Sequence, residues 1–369
     1  MAYRVQFRLT KGGAPTTETF ETAHEAGAFA QLVDRIGGAA ARAKRIALER
    51  SGPTAPTLSE VLEDYITAAP DLTPGSAGEY RRILRRSLLE ERLGAFPVSM
   101  IDRVDVEQWV QARMLTPSAK TKKAVSPKTI RNEHGLLSSL MKHSVDRSWA
   151  TSNPCEKVRL PESEEHELTL LTTQQLGRIL DATSKRYRPL VLLLAATGMR
   201  WGEATALTWR DIDSAGARIT VRQAWKHDED AGRVLGRPKT RRSYRVIETT
   251  PKIIASLGTP GKVEQLVFRN RDGRNVQHHT FHEYHWSRAV TAAKLDPRPR
   301  VHDLRYYAAS HMIASGADLF EVSRALGHKS LKTTTDVYGH LVPTRTRPTI
   351  THAKELETLM QSPGATKAA

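Results

Sequence analysis

The chain has 369 residues, long enough for two or three domains of ordinary size and too long for one small core. Its 39% apolar content is that of a globular chain and argues against disorder, its single cysteine, Cys155, excludes an internal disulfide and a Cys-based metal cluster, and no apolar run reaches the roughly eighteen residues of a membrane-crossing helix. The 56 Lys and Arg against 40 Asp and Glu leave a formal net charge of +16, spread along the chain in a way that favours an extended polyanion such as nucleic acid as partner.

The start, MAYRVQFRLT, alternates polar and apolar residues where a signal peptide would need a continuous apolar stretch, so a cytoplasmic protein is expected. In that stretch Tyr3, Val5, Phe7 and Leu9 share one face of a predicted strand, and Arg4 and Arg8 lie on the open one. A turn at Lys11 to Gly13, a second strand over Thr16 to Phe20 and a helix over Ala23 to Ile36 complete a small module, residues 1–50. The Ala-rich block Gly37 to Arg45 reads as low complexity, and Ser51 to Pro56 as a linker.

A helical region follows over 57–155, with helices starting near Thr57, Ser76, Asp102 and Ser126. Ser126 is a predicted N-cap with Pro127 at the first helical position, and Ile130, Leu137, Leu140, Met141 and Val145 share the buried face. The loop Ser118 to Lys123 carries Lys120, Lys122 and Lys123, which suit either solvent or phosphate. Beyond the acidic linker Pro161 to Glu167, residues 168–361 mix helix and strand: a buried helix over Pro189 to Thr197, strands over Ala217 to Ala224 and Ser243 to Glu248, and helices from His279 onward. The expected fold class is mainly α with small β-sheets (α+β).

Four motifs in this last region bear chemistry. ATGMRWGEA holds Arg200 and, three residues on, Glu203, a spacing that lets the carboxylate orient the guanidinium. GRPKTRRSYRVI places Lys239 in a turn before a strand, with Arg241 and Arg242 beside it as candidate DNA contacts. VHDLRYYAASH carries His302 and Arg305 on one helix, and LGHKSLKTTTDVYGHL adds His328 and Tyr338. Taken singly, each residue has an ordinary reading as a surface cation, an ion pair or a packed histidine; their order and spacing change the balance.

The series Arg200, Lys239, His302-x-x-Arg305, His328 and Tyr338 resembles the catalytic set of the tyrosine recombinases, which include phage and integrative-element integrases. The resemblance covers about Leu168 to Leu341; the helical region before it resembles that family's core-DNA-binding domain, and residues 1–50 resemble an arm-binding domain. It implies site-specific strand transfer through a 3′-phosphotyrosyl intermediate, integrating or excising a mobile element. Tyr338 would attack phosphorus, His302 would move a proton nearby, Lys239 would protonate the leaving 5′ oxygen, His328 would hydrogen-bond the phosphate and Glu203 would support Arg200. The implied partners are double-stranded DNA attachment sites, a homotetramer on two duplexes, a DNA-bending host factor and an excision directionality factor. No cofactor and no metal is implied.

Physical chemistry is consistent with those roles. Two guanidinium forks can hold the non-bridging oxygens of a phosphodiester and stabilise the charge added in a phosphorane, each such donor being worth about 3 kcal/mol. A tyrosine of ordinary pKa is only about one part in a thousand phenolate at pH 7, a deficit of about 4 kcal/mol that a base and nearby cations must offset. The polar composition around Tyr338 suggests a mobile, accessible segment. In the tail, Ile350, Ala353, Leu356 and Met360 fall near one face of a short predicted helix suited to docking on a neighbouring protomer. The alternatives are a type IB topoisomerase, a non-catalytic DNA-binding regulator and a host chromosome-dimer resolvase.

Overall fold

The computed structural model describes residues 2–49, 55–89, 93, 97–117, 123–162, 170–228, 232–236 and 244–342. The chain divides into two compact units, Met1–Glu165 with Asp228–Gly232 and His166–His227 with Arg233–Ala369.

The first unit opens with the antiparallel hairpin β1 (Tyr3–Arg8) and β2 (Pro15–Phe20), followed by α1 (Ala23–Ile36). Thr22 and Glu25 close a capping box at the start of α1. The alternation in β1 sends Phe7 inward onto Phe29 and Leu32 and leaves Arg4 and Arg8 exposed. The Ala-rich block forms α2 (Gly38–Glu49), because its alanines are strong helix formers and Ala41 packs into the hairpin core. Arg42 and Arg45 of α2 reach Glu18 on β2 at 3.0 and 2.8 Å. Gly38 has to be glycine, since a Cβ there would lie 2.1 Å from the Arg8 carbonyl.

The same unit contains α3 (Leu58–Ala68), α4 (Pro74–Ile83), α5 (Arg103–Leu115) and α6 (Pro127–Asp146). Thr57, Asp102 and Ser126 are N-caps as their side chains predict. Helix α4 starts two residues before Ser76, because Thr73 caps it and Pro74 occupies the first position; it runs into a π-helical turn over Leu84–Leu89. Leu58, Leu62, Leu88, Trp109, Leu137 and Met141 form the core. Val145 is only half-buried. Cys155 packs into this core, and burial pushes its thiol up to about 12, which makes it inert as a nucleophile.

The second unit is also mainly helical. Helices α7 (Thr173–Ala182) and α8 (Arg188–Thr197) lead to the short α9 (Trp201–Ala204). Strands β3 (Ile212–Asp213), β4 (Arg218–Val221) and, later, β7 (Arg245–Glu248) make one antiparallel sheet in the order β3-β4-β7. The stretch expected as a single strand to Ala224 breaks after Val221, and a separate hairpin of β5 (Ala224–Asp228) and β6 (Gly232–Gly236) follows. Helix α10 (Pro251–Ser256) precedes α11 (His278–Phe281), which passes through a π turn, His282–Trp286, into α12 (Ser287–Ala292). Helices α13 (Asp303–Ala314), α14 (Leu319–Leu326) and α15 (Leu331–Tyr338) finish the described chain. The main core joins α8, β4, β7 and α12 around Leu190, Ile219, Ile247 and Trp286, and a smaller one lies between α13, α14 and α15.

Candidate active site

Helix α8 stops because Gly198 turns left-handed at φ 63°, and a Cβ there would meet Leu326 Cδ2 at 2.6 Å. This turn delivers Arg200 to the N-cap of α9. The buried Glu203 carboxylate, at the third position of α9, accepts the Arg200 backbone N–H at 3.0 Å and its Nη1 at 2.9 Å.

Arg305, one turn into α13, is 3% exposed. Its Nη1 donates to the Gly198 carbonyl at 2.6 Å and its Nη2 to the Leu326 carbonyl at 2.9 Å. Burial and the neighbouring Arg200 cation lower its pKa to about 9, so it stays charged at neutral pH.

Helix α14 ends at Gly327, left-handed at φ 68°. Three successive carbonyls at this end each accept from a different arginine: Ala325 from Arg245 Nε at 2.7 Å, Leu326 from Arg305, and Gly327 from Arg200 Nη2 at 3.1 Å. The last carbonyls of a helix lack partners within it and carry the negative end of its dipole, so they suit cations. Arg245 also donates from Nη2 to Glu203 Oε2 at 2.9 Å, so one carboxylate serves two guanidiniums. Burial raises the Glu203 pKa, but the Arg245 and Arg200 cations outweigh it and hold the carboxyl below its usual range.

His328 follows immediately. It is buried, with Nδ1 2.7 Å from Thr334 Oγ1. Burial, then the cations of Arg305, Arg200 and Arg245, push its pKa down to about 4 and make it a neutral imidazole at pH 7. His302 is exposed at the N-cap of α13; desolvation and Arg305 lower its pKa against the pull of Asp303. Its ring stands edge-on to Tyr306 at 5.3 Å, and Tyr306 stands edge-on to Tyr338 at 5.9 Å. A groove of about 490 Å³ opens beside His328, lined among others by Tyr244, Val246, Phe320, Arg324 and Leu331.

Tyr338 differs from the expectation of an accessible segment. It ends α15, is 1% exposed, and packs with Ala309, Ile313, Val322 and Leu326. Burial raises the phenol pKa, with Arg305 opposing and Tyr306 adding to the rise. The apolar partners come from α13 and α14, on separate helices earlier in the chain, so the polar residues immediately around Tyr338 carried no sign of them.

The structure thus brings Arg200, Glu203, Arg305, His328 and Tyr338 to the meeting point of α9, α13, α14 and α15, with His302 at the start of α13. Lys239, Arg241, Arg242, Lys120 and Lys122 lie outside the described residues, as does the tail helix expected around Ile350 to Met360. Lys123, Arg4 and Arg8 are exposed in the first unit. Among the described residues, no three His, Cys, Asp or Glu side chains are grouped to hold a metal ion. Sequence reasoning missed Arg245 and Thr334. The signal for Arg245 was available: in RVIE it occupies the inward-facing slot, two residues before the buried Ile247.

The phage integrase family model matches residues 169–345. The chain is 27% identical over 301 residues to a putative integrase of Pseudomonas phage Pf1, covering 79% of each chain. It is 27% identical over 238 residues to the ICEBs1 integrase of Bacillus subtilis, covering 60% of this chain and 64% of that one. To tyrosine recombinase XerC of Alcanivorax borkumensis the identity is 27% over 286 residues, covering 75% and 87%. In fold it resembles the Tn1549 transposon integrase solved with a circular intermediate DNA, at TM-score 0.67 and 17% identity over 82% of this chain and 99% of that one. It also resembles a lambda integrase dimer on a COC′ core site, at TM-score 0.56 and 16% identity over 90% and 91%. These similarities to integrases and recombinases do not favour a DNA-relaxing topoisomerase.

Proposed function

The chain belongs to the tyrosine recombinase family and is a site-specific recombinase of that type, and from this premise we propose that it integrates or excises a mobile DNA element at double-stranded attachment sites, using Tyr338 as nucleophile. The observation that carries this reading is the arginine cluster at the end of α14, where buried Arg305 and half-exposed Arg200 hold successive carbonyls next to His328, and a single carboxylate, Glu203, pairs with Arg200. Such a site attracts a phosphodiester and stabilises the charge that develops on it.

In the proposed reaction Arg200 and Arg305 hold the non-bridging oxygens. The Tyr338 oxygen bonds to phosphorus while the bond from phosphorus to the 5′ oxygen breaks. The phenolic proton leaves toward His302, whose neutral ring can accept it, and Lys239 gives a proton to the departing 5′ oxygen. His328, fixed by Thr334, donates to a phosphate oxygen. Because the phosphotyrosyl bond conserves the energy of the broken one, attack by a new 5′ hydroxyl reverses every step and needs no nucleotide. A duplex phosphate cannot reach a hydroxyl as covered as that of Tyr338, so engagement of DNA has to displace α15 from its apolar seat.

Replacing Tyr338 by Phe tests the assignment. The variant is expected to fold, to bind core-site DNA nearly as the parent does, and to form no covalent adduct on a nicked suicide substrate. Adduct formation by Tyr338→Phe, or a DNA-linked peptide lacking Tyr338, would overturn it.

The larger assembly in this reading is a homotetramer on two duplexes, with residues after Pro348 docking between protomers and the exposed Arg4 and Arg8 face of β1 tethering arm sites. A DNA-bending host factor and a directionality factor would assist. Deleting residues 1–50 should spare suicide-substrate cleavage yet reduce integration between full sites, and deleting residues after Pro348 should spare single-site binding yet impair synapsis. Unchanged integration by either truncation would remove that segment's role.

A further inference from the structure

Arg245 has no role in the proposed chemistry, yet its side chain is built into the site. It is 8% exposed on a sheet strand whose inward neighbour is Ile247, a slot that burial would normally give to an apolar residue. Its Nη2 holds Glu203 Oε2 at 2.9 Å and its Nε holds the Ala325 carbonyl at 2.7 Å. The chain makes room for it: a Cβ on Gly327 would lie 2.9 Å from Arg245 Nη1. An arginine buried at such cost of desolvation needs a compensating function, structural or chemical.

The charge balance separates those two. Arg200 and Arg245 share one carboxylate, Glu203, and Arg305 beside them is held by neutral carbonyls, so these four side chains carry two positive charges in excess. A phosphodiester carries one negative charge, and the five-coordinate phosphorane formed from it carries two. The cluster therefore complements the transition state better than the bound substrate, which is the condition for raising a rate. Geometry adds a second effect. Glu203 Oε2 is shared by Arg245 Nη2 and the Arg200 backbone N–H, so the carboxylate holds the Arg200 side chain through Nη1 alone, without the two-pronged pair that would neutralise its fork.

We propose that Arg245 is a positioning residue for strand cleavage: by sharing Glu203 and pinning the end of α14, it keeps Arg200 turned toward the phosphate and maintains the positive excess of the site. The contacts of Arg245 include Glu203 and the Ala325 carbonyl, and it acts on the reaction through Arg200. This role rests on the phosphate-clamp reading above. Loss of adduct in Tyr338→Phe tests that reading independently, so the two can fail separately.

The test compares Arg245→Met, Arg245→Lys, Glu203→Gln and the double variant Glu203→Gln/Arg245→Met, each assayed for core-site binding and for the single-turnover rate of cleavage of a suicide substrate. Arg245→Met leaves a single positive charge in excess, and its cleavage rate should fall by about a hundredfold, the low end for losing a transition-state donor, while binding changes by less than about threefold. Arg245→Lys keeps the charge without the fork and should recover part of the rate. The discriminating variant is the double one. Removing the Glu203 charge restores the excess of two, so it should cleave at least about tenfold faster than Arg245→Met. A merely structural role predicts the opposite, because the second substitution removes another buried hydrogen-bonding group. If Arg245→Met fails to fold, the double variant is compared with Glu203→Gln: cleavage within about tenfold of it supports the role, and loss of cleavage in a folded, DNA-binding double variant overturns it. Arg245→Met cleavage equal to the parent's overturns it as well.

Discussion

Both units of the molecule bury a glutamate between two arginines, and the two arrangements differ in one respect that matters. In the first unit Glu133, fully buried, binds Arg113 through Nε at 3.0 Å, with the half-exposed Arg86 at 3.5 Å. Arg86 also lies 4.0 Å from Glu79, which pairs with Arg82 as well, so three arginines face two carboxylates. In the second unit Glu203 binds buried Arg245 and half-exposed Arg200 in the same way, but the further cation is Arg305 and the further acceptors are three neutral carbonyls. Near-balance, an excess of one, marks the ion cluster that holds a helical bundle together. The larger excess of two, supported by carbonyl dipoles, suits the phosphate clamp proposed above.

The strongest way to break this comparison is to remove one buried arginine from each cluster. Arg305→Ala should lower the single-turnover cleavage rate by about a hundredfold to a thousandfold, because it deletes the direct phosphate donor of the proposed reaction. Arg113→Ala should leave the cleavage rate of folded protein near that of the parent and lower stability by about 3 kcal/mol, since it strands a buried carboxylate. Chemical denaturation and suicide-substrate cleavage, measured on both, would show the two clusters to be alike if Arg113→Ala proved as inactive as Arg305→Ala at full occupancy of DNA.

A smaller effect is expected from pH. The native-state pKa of His328 is depressed to about 4 from an unfolded value of 6.5, and a depressed pKa means that the unfolded chain binds the proton first. The stability contributed by the neutral His328 is therefore present above pH 6.5 and is lost as pH falls from there toward 4. Melting curves across this window should show the loss, and His328→Gln should flatten it. An equal slope in the variant would assign the pH dependence to other groups.

The smallest effect belongs to a pair outside either cluster. Arg103 and Glu107 on α5 meet at 2.7 Å, but both are exposed, so Arg103→Ala should change stability by no more than about 0.5 kcal/mol. A loss comparable to that of Arg113→Ala would mean that burial is not what separates strong from weak ion pairs here.

Local order was written plainly in the chain. Thr57, Asp102 and Ser126 announce helix starts because a cap needs only a hydroxyl or carboxylate and the next three residues. The alternation of YRVQFR announces a strand with Arg4 and Arg8 on its open face. Recognition of the site went further than folding signals alone allow, because the series Arg200, His302, Arg305, His328 and Tyr338 resembles the catalytic set of the tyrosine recombinases. The Ala-rich α2 and the hairpin β5-β6 are not legible in the sequence, the first because the block stands out only as low complexity, the second because RITVRQA looks like one uninterrupted strand.

By itself, then, the sequence determined the caps, the strand faces, the basic character and the residue types of the site, all of which depend on side-chain chemistry and on neighbours within a few positions. Only tertiary structure decided that Tyr338 is covered by Ile313, Val322 and Leu326, and that Arg245 turns inward to Glu203. It alone also decided that three arginines meet three consecutive carbonyls at the end of α14. The physical reason is distance along the chain: the bonds from Arg245 to Ala325 and from Arg200 to Gly327 span 80 and 127 residues, and nothing in a local pattern encodes which helix end will lie within reach.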